Sequence, residues 1–96
     1  MVLVVTLDLH GPAAAYDKLY DTLKKQGTWW HYMRWTWLLD TSHSPSEVID
    51  ALQAHIQSED RVLVVPLTRP YQGLLKPDEW KWITSRMSPK KASGAL

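Results

Sequence analysis

Asp8 and His10 are a carboxylate and an imidazole whose types and spacing suggest chemistry. Asp8 is the only acid in the apolar run from Val2 to Leu9, and His10 follows it by two positions. Residues two apart on an extended strand point to the same side of a sheet. A carboxylate suits Mg²⁺ as a ligand, and a neutral imidazole can act as a general base or hold a water molecule near pH 7. Asp8 is therefore a candidate metal ligand, and both residues are candidate catalytic groups.

Two structural roles compete with catalysis at Asp8. In an antiparallel sheet the end of the first strand lies near the starts of the third and fourth strands, where the sequence has Arg34 and Arg61. Either arginine could form an ion pair with Asp8. The carboxylate could also cap the turn that begins at Gly11 and Pro12. The sequence leaves the metal site, the ion pair and the turn cap open.

Other common catalytic and metal motifs are missing from the sequence. The chain has no cysteine, which excludes disulfides, thiolate zinc sites and cysteine nucleophiles. The other histidines, His31, His43 and His55, do not have the close spacing of zinc ligands. The four glycines are isolated and do not form a phosphate-binding loop. A metal, if present, would be held by oxygen or imidazole ligands, and Mg²⁺ is the expected ion.

The elements that would position Asp8 alternate between strand and helix. Aliphatic residues alternate through the first strand, and Ser44 with Glu47 has the form of a capping box before a helix. Pro66 lacks a donor for the strand ladder, which places its strand at an edge or at a bulge. The predicted elements are a strand at 2–9, a helix from 12, two strands within 28–41, a helix from 45, a strand at 61–67 and a helix from 77. This order predicts an α+β, ferredoxin-like βαββαβ fold, with four antiparallel strands, two helices on one face and an extra C-terminal helix.

Length and charge limit how the chain could meet its partners. We expect one domain at 1–87 and a flexible basic tail at 88–96. The sequence shows neither a basic leader nor a membrane-length apolar run, so a cytoplasmic protein without membrane contact is expected. The net charge of +1 is too small for the overall charge of the protein to drive binding to nucleic acid. Binding would need local cations, for which the candidates are Arg34, Arg61, Lys90 and Lys91.

Six tryptophans, four of them between positions 28 and 41, allow two interpretations. They could stack unpaired bases, with Arg34 on a phosphate, as in sheet-surface RNA modules. They could instead fill the core of a chain that has no phenylalanine. Alternation along a strand sends neighbouring tryptophans to opposite faces, which favours packing.

Four segments of the chain together form a layout that is found in a known family. They are Thr6-Leu7-Asp8-Leu9, the helix from Pro12, Gly27-Thr28-Trp29-Trp30-His31-Tyr32 and Thr36-Trp37-Leu38-Leu39. This layout resembles the CRISPR-associated protein 2 superfamily, and most of all the SinR-like branch of small uncharacterised bacterial proteins. The resemblance covers about 2–83.

The resemblance implies a homodimer whose sheets pack face to face. It also implies that Asp8 occupies the position of the family's proposed metal ligand, so that two copies would face each other across the dimer axis. Some members are described as magnesium-dependent nucleases, and others as scaffolds that hold DNA. Thr36 and Trp37 stand where the family has serine and phenylalanine, and the glycine expected after that strand is absent. We therefore expect a nucleic-acid or protein partner and a binding or scaffold role, with a magnesium-dependent endonuclease of a defence or toxin system as the alternative.

Overall fold

The computed structural model describes residues 1–87, and the basic tail predicted for 88–96 lies outside them. The helices and strands follow the predicted order. They are β1 (Val2–Asp8), a 3₁₀ turn (Ala13–Tyr16), α1 (Asp17–Lys24), β2 (Thr28–Met33), β3 (Thr36–Asp40), α2 (Pro45–Leu52), a 3₁₀ turn (Gln53–His55), β4 (Arg61–Pro66) and α3 (Pro77–Arg86). Within residues 1–87, no helix has the length and apolar character needed to cross a membrane.

The four strands form one antiparallel sheet in the order β2-β3-β1-β4. Val5 at the centre of β1 lies opposite Trp37 of β3 and Val64 of β4. The edges of the sheet are β2 and β4, so the edge position predicted from Pro66 is confirmed. The α+β class and the antiparallel four-stranded sheet are thus as expected.

One face of the sheet is covered by α1 and α2. Their buried leucine and valine side chains pack against Leu3, Val5 and Leu7 of β1. Helix α2 starts at the predicted capping box, in which the Glu47 N–H donates to Ser44 Oγ at 3.1 Å and the Ser44 N–H donates to Glu47 Oε1 at 2.8 Å. The expectation of two helices on one face is met.

Helix α3 and the segment before it cover part of the opposite face. Ile83 packs with Val2, Trp30 and Leu38, and Arg86 Nε lies 3.4 Å from Asp40 Oδ2 near the C-terminal end of the helix. The β4 part of this face carries exposed apolar side chains. Leu63 is 59% exposed and Val65 is 39% exposed.

Candidate functional site at one end of the sheet

The end of β1, the β2–β3 turn and the start of β4 meet at one end of the sheet. Asp8 is the register partner of Arg61, and the Leu7 N–H donates to the Trp35 carbonyl at 2.8 Å. Arg34 precedes Trp35 in the same turn. The neighbourhood predicted for Asp8 is therefore present, with one exposed arginine to either side of it. Given the spacing of strands, the two arginine backbones are roughly 10 Å apart.

Asp8 contacts His10 and neither arginine. The distance from Asp8 Oδ2 to His10 Nε2 is 3.3 Å, and the two side chains are 61% and 54% exposed. Within residues 1–87 this is the only ion contact of the Asp8 carboxylate, so the predicted pair with Arg34 or Arg61 does not form. Asp8 and His10 do share a side, as their spacing predicted. Both functional groups are open to solvent and could be reached by a ligand.

One chain offers few ligands for a metal here. Within residues 1–87, no three histidine or acidic side chains are grouped closely enough to hold an ion. Asp8 supplies one carboxylate, and His10 is better suited as a base, because imidazole is a poor ligand for Mg²⁺. Mg²⁺ commonly keeps several waters and binds through one or two carboxylates. A single copy therefore supplies one carboxylate, and two copies of Asp8 would supply two.

Asp60, a residue that the sequence analysis did not single out, holds the His10 backbone in place. Its Oδ1 accepts the His10 N–H at 2.8 Å, and its Oδ2 accepts the Gln57 N–H at 2.9 Å. The buried Tyr16 hydroxyl lies 2.8 Å from both carboxylate oxygens, and the Gly11 N–H donates to that hydroxyl at 2.7 Å. Asp60 thus links the segment after β1 to the turn before β4 and acts as a positioning residue.

The carboxyl of Asp60 is held in its ionised form. Burial raises its pKa, but the N–H groups of His10 and Gln57 and the Tyr16 hydroxyl outweigh that effect and keep the pKa below its ordinary value. Burial and the hydrogen bond to Asp60 raise the pKa of Tyr16. The only sequence signal for this network is an acid shortly before a strand. Its tyrosine partner lies 44 residues away, and no local pattern links the two.

The unfolding free energy should depend on Asp60 in acid. Because its folded pKa is below the unfolded one, its stabilisation is fully present above about pH 4 and is lost as the pH falls through the folded value. Glu47 contributes in the same direction, because hydrogen bonds from Ser44 lower its pKa. Urea unfolding of Asp60→Asn between pH 2.5 and 7 should show a weaker pH dependence than the wild type. Asp50→Asn, a change on the surface of α2, is the control, and equal slopes for Asp60→Asn and wild type would contradict the assignment.

Of the four tryptophans between positions 28 and 41, two are buried and two are about half exposed. Trp30 and Trp37 are 1% and 2% exposed, so the packing prediction is confirmed for them. Trp29 and Trp35 are 43% and 51% exposed. Each has a cation near its ring, with Lys24 Nζ 5.0 Å from the Trp29 centroid and Arg34 Cζ 5.9 Å from the Trp35 centroid. Half-exposed aromatic rings beside cations are the side chains that single-stranded nucleic acids contact by stacking.

The structure describes two of the four residues that the sequence suggested for nucleic-acid binding. Arg34 and Arg61 are exposed and flank Asp8 at the same end of the sheet. Lys90 and Lys91 lie outside the described residues.

Comparison with known proteins found no protein-family model that matches this chain, and no curated protein with a significantly similar sequence.

Proposed function

We propose that this protein binds nucleic acid, in a scaffold role, as a homodimer of the ferredoxin-like fold related to the CRISPR-associated protein 2 superfamily. The observation that carries the proposal is the end of the sheet, where the β2–β3 turn holds the exposed Arg34 next to the half-exposed Trp35 and β4 begins with the exposed Arg61. Exposed guanidinium groups can bind phosphates, and an exposed aromatic ring can stack on a base. The small net charge is compatible with such a local site.

The ferredoxin-like assignment is supported by the strand order together with α1 and α2 on one face. The homodimer is supported by the exposed Leu63 and Val65 of β4, since neighbouring exposed apolar side chains on one face of a sheet favour contact with another chain. Helix α3 already covers the face near Trp30, so a second copy would use the β4 part of that face. Light scattering measures the mass in solution, and a monomer at all concentrations would contradict the dimer.

Removing both arginines should weaken binding of a labelled single strand of RNA or DNA. Fluorescence anisotropy with Arg34→Gln/Arg61→Gln should show about tenfold or greater loss at low salt. The slope of log affinity against log salt should fall by roughly 1.4, since each phosphate contact on a single strand contributes about 0.7. The matched control is Lys18→Gln/Lys81→Gln, which removes the same charge from two helices. An equal loss in that control, or no binding by the wild type, would refute the proposed site.

A second candidate function is a magnesium-dependent endonuclease, favoured by the exposed Asp8 carboxylate beside His10. Two copies of Asp8 in a dimer would hold the ion, which would stabilise charge on the phosphate. His10 would take a proton from water as the water attacks phosphorus, and the bond to the leaving oxygen would break as that oxygen takes a proton from solvent. The same labelled strands, incubated with Mg²⁺, test this function. Cleavage should disappear in Asp8→Asn and persist in Asp17→Asn, whereas intact strands with wild-type protein would exclude it.

A further inference from the structure

A small aromatic cavity opens between α1 and the β2–β3 hairpin, on the helix-covered face of the sheet. Its volume is about 200 Å³. Its lining consists of four aromatic or imidazole rings and one ammonium group: Tyr20, Lys24, Trp29, His31 and Trp37. We call this opening the base cavity, after the nucleic-acid base considered as its ligand below. It is not part of the Asp8 site.

The inner wall of the base cavity is held rigidly by stacked rings. His31 stacks on the buried Trp37 with centroids 4.1 Å apart and planes 11° apart. Tyr20 also stacks on Trp37, at 5.8 Å and 18°. Trp29 forms the open wall, tilted by 49° to Trp37 and 43% exposed. The cavity therefore has a preformed floor and one ring that a ligand can cover.

The polar groups of the base cavity suit a ligand that has a negative charge and a hydrogen-bond donor. Lys24 carries a positive charge in the last turn of α1, and the five lining residues include no carboxylate. His31 Nε2 lies 3.1 Å from the Arg34 carbonyl, so this nitrogen donates and Nδ1 of the neutral ring can accept.

We infer that the base cavity takes one unpaired base of a single-stranded nucleic acid, which stacks on Trp29 while Lys24 binds a flanking phosphate. The inference rests on the proposed nucleic-acid function and adds a base pocket to it. The volume lies below the range of roughly 300–1,000 Å³ for drug-sized ligands, so one planar ring enters and the sugar stays outside. The ammonium now 5.0 Å from the Trp29 ring centroid is on a flexible stem and can turn towards the phosphate.

A second aromatic cavity, on the opposite face, provides a contrast. It lies between β2 and the start of α3, and its lining is Trp30, Tyr32, Lys76, Asp78, Glu79 and Trp82. This lining has two carboxylates and one ammonium group, and its net negative charge repels a phosphate backbone. Tyr32 is 71% exposed and lies on the same strand as Trp29. A substitution of Tyr32 is therefore the matched control for loss of a solvent-exposed aromatic ring from β2.

The test compares a labelled single strand with a strand of equal length and charge that carries abasic sites. Wild-type protein should bind the base-bearing strand about tenfold or more tightly, because stacking on an aromatic ring requires a base. Trp29→Leu should reduce this preference, because the exposed Trp35 ring is still present, whereas Tyr32→Leu should keep it in full. Circular dichroism checks that each variant is folded. If Trp29→Leu does not fold, Lys24→Gln replaces it in the test. This variant leaves the aromatic rings in place and should weaken binding of the base-bearing strand.

The indole N–H signals in a ¹⁵N NMR spectrum give an independent readout. Addition of the base-bearing strand should shift the signals of Trp29 and Trp37 and leave that of Trp82 in place. If both strands bind equally and Trp29→Leu matches the wild type, the base cavity is refuted while nucleic-acid binding stands. If neither strand binds to wild-type protein, the proposed function fails and this inference fails with it.

Discussion

Replacement of Trp30 by alanine is expected to lower the free energy of unfolding by about 3–5 kcal/mol. Trp30 is 1% exposed and packs with Val2, Leu38 and Ile83, so its ring joins β2 to the rest of the sheet and to α3. Removal of this ring loses its transfer free energy and leaves a cavity that the surrounding strands cannot close. Small domains have only about 5–15 kcal/mol of stability, so the variant should be close to unfolding at 37 °C.

Urea unfolding followed by far-UV circular dichroism measures this effect. Tyr32→Ala is the matched control, because Tyr32 lies on the same strand and face but is 71% exposed. Its effect should be within about 0.5 kcal/mol. Similar losses in the two variants would mean that Trp30 does not hold α3 against the sheet.

Replacement of Gly27 by alanine should cost about 2–3 kcal/mol, because the added methyl group has no room. A Cβ at this position would overlap the Asp40 carbonyl oxygen and would lie 3.0 Å from the Asp40 carbonyl carbon and 3.1 Å from Thr41 Cβ. Backbone atoms at the end of β3 cannot move aside as a flexible side chain can. Within residues 1–87 no glycine has a positive φ, so the expected cost is steric and not conformational.

Gly73→Ala is the control for Gly27→Ala in the same unfolding assay. A Cβ at Gly73 would meet Trp80 ring carbons at 3.8 and 3.9 Å, which is ordinary contact. The control should be neutral or stabilising by up to about 1 kcal/mol, because alanine restricts the unfolded chain. If Gly27→Ala is as stable as wild type, the space between Gly27 and the Asp40 carbonyl is larger than in the structure.

Much of the fold could be predicted because its signals are local. The alternation of Leu3, Val5 and Leu7 marks a strand, and the Ser44–Glu47 box marks the start of α2. Pro66 correctly indicated an edge strand. The sequence also placed Asp8 near Arg34 and Arg61, since antiparallel pairing follows from the order of the strands. It could not predict that Asp8 would contact His10 and neither arginine, because that choice depends on the orientations of side chains.

The exposure of each tryptophan was not predictable in the same way. Alternation separates Trp29 from Trp30, but it does not say which face each helix covers. Burial of Trp30 follows from the packing of α3 on its face, and exposure of Trp29 follows from the position of α1, which leaves the outer part of β2 open. The base cavity was missed for this reason.

The sequence by itself determined the kinds of elements, their order and the pairing of strands that brings Asp8, Arg34 and Arg61 to one end of the sheet. Those features depend on periodicity, capping and turn residues, which act over a few positions. Only the tertiary structure decided the Asp60 contacts with Tyr16 and His10, the covering of Trp30 by α3 and the opening beside Trp29. These depend on side chains far apart in the chain, whose contacts are set by how the helices pack on the sheet.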